Sequence, residues 1–184
     1  QPEDEAQAFE AIEQAIKLAP QSAQAFNQRG ELYIMMEMPQ KAMADFQKSL
    51  DLDPTNADVY TNLGNEAKKA GKFQAAFAYY NQAIRFDPRQ AEALYQRGFL
   101  KFLEKNYPSA IRDLQASIKA DPQNGLAYGT LAKIYAVQQQ EDKMFYYLEL
   151  ALQNKYPSIE LSAARVFKPY TGEEKMQDLI ERYP

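Results

Sequence analysis

Pro20, Pro54, Pro88 and Pro122 stand 34 residues apart, and this step constrains the chain more than any other feature. Other columns keep it: Gly30, Gly64, Gly98, then Ala132; Ala42, Ala76, Ala110, then Met144; Phe46, Tyr80, Leu114, Leu148; Phe26, Tyr60, Leu94, Tyr128; and Leu50, Ile84, Ile118, Leu152 before each loop. A regular period means that each unit buries its apolar face on its neighbours rather than in one central core. Within one unit, Tyr60, Leu63, Gly64 and Ala67 fall at three- and four-residue spacings, one face of a helix. Ala76, Tyr80, Ala83 and Ile84 make the matching face of a second helix. Gly64 or Ala76 at the crossing lets two backbones approach to roughly 8 to 10 Å. Asp53-Pro54-Thr55-Asn56, Asp87-Pro88-Arg89-Gln90 and Asp121-Pro122-Gln123-Asn124 then break the chain, because proline disfavours helix in the residue before it. Ser22, Asn56 and Asn124 are placed to cap the helices that follow.

The pattern predicts helices near 23–36 and 39–52, 57–70 and 73–86, 91–104 and 107–120, and 125–138 and 141–154. A 34-residue period with these residues resembles the tetratricopeptide repeat over nearly the whole chain. The resemblance implies an all-α fold: a right-handed superhelix, or α-solenoid, of antiparallel helical hairpins. Repeats are expected at 23–56, 57–90, 91–124 and 125–156. Before them, within 1–22, residues 3–18 match only the second half of a repeat, with Ala8, Ile12, Ala15, Ile16 and Pro20 in register and acidic Glu3, Asp4 and Glu5 suited to a helix start. This orphan helix either caps the array or presents an apolar edge. After the fourth hairpin the period fails, as terminal units of repeat arrays do. Residues 157–184 are expected to form a two-helix cap: Ser158 to Phe167 as a short helix, Pro169-Tyr170-Thr171-Gly172 as a turn, and Glu173 to Arg182 as a helix with Met176, Leu179 and Ile180 inward. Phe167 and Pro169 ahead of a final helix resemble the tail that follows bacterial tetratricopeptide arrays.

Composition excludes more than it selects. Lys and Arg number 21 against 25 Asp and Glu, and this acidic balance argues against a nucleic-acid partner. Cys and His are both absent, which removes zinc fingers, thiol nucleophiles, Ser-His-Asp triads and most transition-metal sites. No Gly-rich phosphate loop, metal-ligand set or nucleophile and base pair is visible, so neither cofactor nor catalysis is expected. No apolar run reaches the roughly 20 residues of a membrane span. The chain starts at Gln1, inside a halved repeat, from which the expectation is that something upstream has been removed. Two locations are open to a soluble chain of this kind: the cytoplasm, or a bacterial periplasm or envelope where a secretory signal or lipid anchor has been removed upstream.

In stacked hairpins the first helices line a concave groove, and the resemblance implies that a peptide or partner segment is recognised there. The positions expected to face it are Asn27, Glu31 and Ile34; Asn62, Asn65 and Lys69; Tyr95, Gln96, Phe99 and Phe102; and Thr130 and Lys133. Asn and Gln offer paired donors and acceptors suited to an extended backbone. Tyr95, Phe99 and Phe102 form an aromatic stripe with two readings, anchors for a ligand or packing in the core. Some family members clamp the carboxyl-terminal tails of heat-shock chaperones with Lys, Asn and Arg. The corresponding residues here are Asn27 and Glu31, Asn62, and Glu92 and Gln96, of which only Asn62 matches; shifting by one repeat gives Thr61, Asn65, Gln96, Leu126 and Thr130, with no cation. An acidic tail is expected to be repelled. Arg29 and Arg97 each precede a column glycine and are expected to lie over the hairpin with the head paired to a carboxylate. The leading expectation is a non-enzymatic interaction scaffold or adaptor; the alternative is a structural element that makes homo-oligomers through the orphan N-terminal helix.

Overall fold

A computed structural model describes residues 2–157 and 165–183, with side chains from residue 7 onward. Its helices are α1 (Pro2–Leu18), α2 (Ala23–Met35), α3 (Pro39–Leu52), α4 (Ala57–Lys69), α5 (Phe73–Phe86), α6 (Ala91–Leu103), α7 (Tyr107–Ala120), α8 (Gly125–Val137) and α9 (Glu141–Gln153), then a 3-10 helix (Arg165–Tyr170) and α10 (Glu174–Arg182). No strand occurs among the described residues, so the fold is all-α and made of repeated helical hairpins. The hairpins are α2/α3, α4/α5, α6/α7 and α8/α9. The chain divides into two compact units, 1–88 and 89–184.

In unit 1, Phe46 and Tyr80 are fully buried, and each lies on the column glycine of its hairpin partner. A Cβ at Gly30 would stand 2.5 Å from the Phe46 ring, and one at Gly64 would stand 2.4 Å from Tyr80. Only a bare backbone accepts a ring at that distance. Ser22 and Asn56 accept hydrogen bonds from the amides of Ala25 and Val59 at 3.2 and 3.3 Å, capping α2 and α4 as the sequence suggests. Between the hairpins, the Thr55 hydroxyl and amide both donate to Asp53, which holds that carboxyl below the usual carboxylate range.

In unit 2, Leu114 and Leu148 fill the same column. Asn124 caps α8 through the Ala127 amide at 3.0 Å. Gly125 and Gly129 face the chain just after α9: a Cβ at Gly129 would stand 2.3 Å from the Tyr156 ring. The tail completes this core with Phe167, Tyr170, Met176 and Leu179. Three tail expectations change. Residues 158–164 of the expected short helix lie outside the described residues, while Arg165–Tyr170 form a 3-10 helix that takes in Pro169 and Tyr170 and leaves only Thr171 and Gly172 as turn. Ile180 is 41% exposed rather than inward, because nine-residue α10 turns only Met176 and Leu179 into the core.

The hairpins alternate chemically. In the first, Arg29 makes a two-pronged pair with Asp45, Nε to Oδ2 and Nη2 to Oδ1, both at 2.7 Å. In the third, Arg97 pairs with Asp113 in the same way at 2.7 and 2.8 Å. Ser49 and Ser117 donate to the carbonyls of Ala23 and Ala91 at 2.7 and 2.8 Å. The expected pairing of both arginines to carboxylates is therefore found. In the second and fourth hairpins the same columns read Leu63, Tyr79, Ala83 and Leu131, Tyr147, Ala151. Helices of one architecture are thus clamped by ions in alternate hairpins and by apolar packing in the others.

Candidate functional site

The candidate site is the face of the first helices, α2 and α4 in unit 1 and α6 and α8 in unit 2, each pair in contact. In unit 1 the structure brings three expected residues together. Asn27 Nδ2 donates to Glu31 Oε1 at 3.0 Å, one helical turn along α2. From α4, Asn62 Nδ2 donates to both Asn27 Oδ1 and Glu31 Oε1, at 3.1 and 2.9 Å. Asn27 is buried and spends its amide inside this triad. Asn62 is half-buried, and its carbonyl oxygen accepts nothing from the described residues. The face therefore presents acceptors and one negative charge, a surface for N–H donors.

Asn65 and Lys69 stand apart from the triad. Asn65 accepts from the Tyr80 hydroxyl at 2.8 Å, which ties it to its own hairpin. Lys69 closes the last turn of α4, largely exposed, with Nζ 2.8 Å from Glu66. Ile34 is half-buried against the core of unit 1.

In unit 2 several expected positions are corrected from groove to interior. Tyr95, Gln96 and Thr130 are all less than a tenth exposed. Gln96 donates to Glu92 at 2.5 Å, and the Thr130 hydroxyl donates back to the Leu126 carbonyl at 2.9 Å. The aromatic stripe is a chain of rings, Tyr95, Phe99, Phe102 and Tyr107, with successive centroids 6.2 Å apart. Phe99 and Phe102 are half-buried and pack on the unit's core, so their inner edges are structural and only their outer edges meet solvent. Lys133 lies over the Tyr156 ring at 5.6 Å. Helical spacing assigns these residues to one side of the helix but carries no information on how far the next helix covers them.

Helix α1 bears on the oligomer reading. Phe9 packs edge-on against Tyr33 at 5.5 Å, Ile12 and Ile16 are half-buried, and Glu13 is ion-paired with Arg29. The apolar face of the orphan helix is thus used by its own chain. Among the described residues no three His, Cys, Asp or Glu are grouped to hold a metal ion, and no helix is long and apolar enough to cross a membrane.

Comparison with known proteins agrees with this architecture. The tetratricopeptide repeat family model matches residues 23–56 and 57–90, the first two full hairpins. The human protein O-mannosyl-transferase TMTC3 is 26% identical over 97% of this chain and 20% of its own length. The chain spans about a fifth of the length of the curated relatives it matches. Among solved structures, Pseudomonas aeruginosa pilF superposes with a TM-score of 0.79 at 17% identity, covering 97% of this chain and 82% of that one. YrrB, described as a repeat protein of this type with an unusual peptide-binding site, gives 0.68 at 18% identity, over 96% and 92%. At such identities these likenesses show a shared fold.

Proposed function

We propose that this chain, a tetratricopeptide repeat protein, is a non-enzymatic scaffold that binds a peptide or partner segment along its first helices. Proteins of this repeat type mediate contacts between proteins, and the human mitochondrial import receptor subunit TOM70 is among the relatives. The observation that carries the reading is the Asn27, Glu31 and Asn62 triad, which bridges two first helices and holds open acceptors at fixed positions. Such an arrangement binds backbone N–H groups or a basic side chain with little ordering cost in the scaffold. The outer edges of Phe99 and Phe102 add apolar contact in unit 2. A bacterial source draws support from the Phe167 and Pro169 tail and from neighbours such as the Pseudomonas aeruginosa protein.

The test is affinity capture with the full chain and with a Glu31→Ala, Asn62→Ala variant. Both changes are on partly exposed side chains, so the variant keeps its helical circular dichroism. Partners held by the parent chain and lost by the variant support the reading. An unchanged set of partners contradicts it.

A further inference from the structure

On a different surface of unit 1, a cleft of about 750 Å³ opens between α3, α4 and α5. Its floor is Leu63 and Tyr79, its walls include Met43, Ala67 and Ala75, and Lys72 stands at its rim. The repeat itself shows what such a place holds when filled. One repeat before Ala67 stands Tyr33, and two repeats after it stands Tyr135. Tyr33 packs on Phe9 of the preceding helix and is covered by Lys41, Nζ 5.3 Å from the ring. Tyr135 stacks on Tyr147 at 5.3 Å with 12° between planes and is covered by Lys143 at 5.2 Å. Both lysines sit eight residues after their tyrosine, and in the second hairpin that position is Ala75. Ring and lysine are missing together here and in the third hairpin, where Lys101 and Ser109 take their places and Lys101 pairs with Asp113 at 2.7 Å; in the second hairpin it is Tyr79, the equivalent of Tyr147, that stands beside the gap. Met43, in the column of Phe9 and Ile111, is left 43% exposed.

We propose that this cleft is a socket for one aromatic side chain of a partner polypeptide, stacked on Tyr79 and followed or preceded by an acidic residue. The ring is argued from Tyr135 on Tyr147, the same two columns in unit 2. The acidic neighbour is argued from charge. Lys69 and Lys72 line the cleft with one carboxylate, Glu66, which is committed to Lys69 at 2.8 Å. Lys72 has no carboxylate within ion-pair distance among the described residues. The socket lies at the hairpin tips and shares no residue with the Asn27, Glu31 and Asn62 triad, so either site stands if the other fails.

The experiment is a titration of the full chain, with labelled Met and Ala methyl groups, by the blocked peptide acetyl-Asp-Tyr-Asp-amide. The account expects a saturable ring-current shift of the Met43 and Ala75 methyls in the millimolar range. The Leu analogue and the Lys-Tyr-Lys analogue should each bind about tenfold more weakly. Ala67→Tyr should abolish the shift and raise the melting temperature by filling the cleft with the chain's own ring. Lys72→Glu, an exposed change that leaves the fold intact, should weaken the acidic peptide about tenfold and favour the Lys analogue. No shift at Met43, equal binding of the Leu analogue, or an unchanged response in Lys72→Glu overturns the proposal.

Discussion

At the scale of single residues, the column glycines and the aromatic stripe give opposite lessons. Gly64 was legible, because a small residue facing a large one at fixed spacing has one physical use, and Tyr80 does lie on it. Gly64→Ala should cost about 2 kcal/mol or more, since the new methyl would meet a fully buried ring. Gly98→Ala, whose Cβ would stand 3.1 Å from Leu114, should cost less, as helix propensity offsets part of the strain by about 1 kcal/mol. Urea unfolding of the two variants checks this order. Tyr95, Phe99 and Phe102 were not separable from sequence, because one spacing serves both a buried ring and a half-covered one. With Tyr95 less than a tenth exposed and the two phenylalanines half-buried, Tyr95→Ala should cost about 3 to 5 kcal/mol and Phe99→Ala less than half of that. Equal losses in thermal unfolding would place all three alike in the core.

At the scale of the element, the hairpin tips were the least legible part. Each turn between first and second helix passes through a left-handed residue: Glu37, Gly71, Lys105 and Gln139, with φ between 57° and 71°. Around the first of them, the Glu37 amide donates to the Ile34 carbonyl and the Met38 amide to that of Tyr33, closing the helix end in the pattern that glycine favours. Only one of the four is glycine, so the signal that marks such a turn was absent from three. Replacing Glu37, Lys105 or Gln139 by Gly should stabilise the chain by about 0.5 to 1 kcal/mol each, and Gly71→Ala should destabilise it by a similar amount. Parallel denaturant titrations measure the sign directly. Capping by Ser22, Asn56 and Asn124 was legible because a side-chain oxygen just before a helix acts locally. The tail was misjudged at Ile180 because periodicity alone cannot say which flank of a nine-residue helix the neighbouring hairpin covers.

At the scale of the molecule, the all-α repeat class followed from the 34-residue period taken with three- and four-residue apolar spacing inside each unit and the family resemblance they carry, since each hairpin can bury its faces only on a neighbouring unit. Function was legible only as a face. The acceptors of Glu31 and Asn62 needed coordinates, because their hydrogen bonds join residues 31 apart. An acidic chaperone-type tail should fail to bind, since Glu31 stands where a cation-bearing clamp would be needed; titration calorimetry with such a peptide at micromolar concentration should give no saturable heat. The central claim is that the first-helix face is the binding surface. Hydrogen exchange of the chain with and without a captured partner tests it most directly. The account predicts added protection concentrated in α2, α4, α6 and α8, with α3, α5, α7 and α9 unchanged. Protection confined to the second helices, or none at all in a saturated complex, would contradict it.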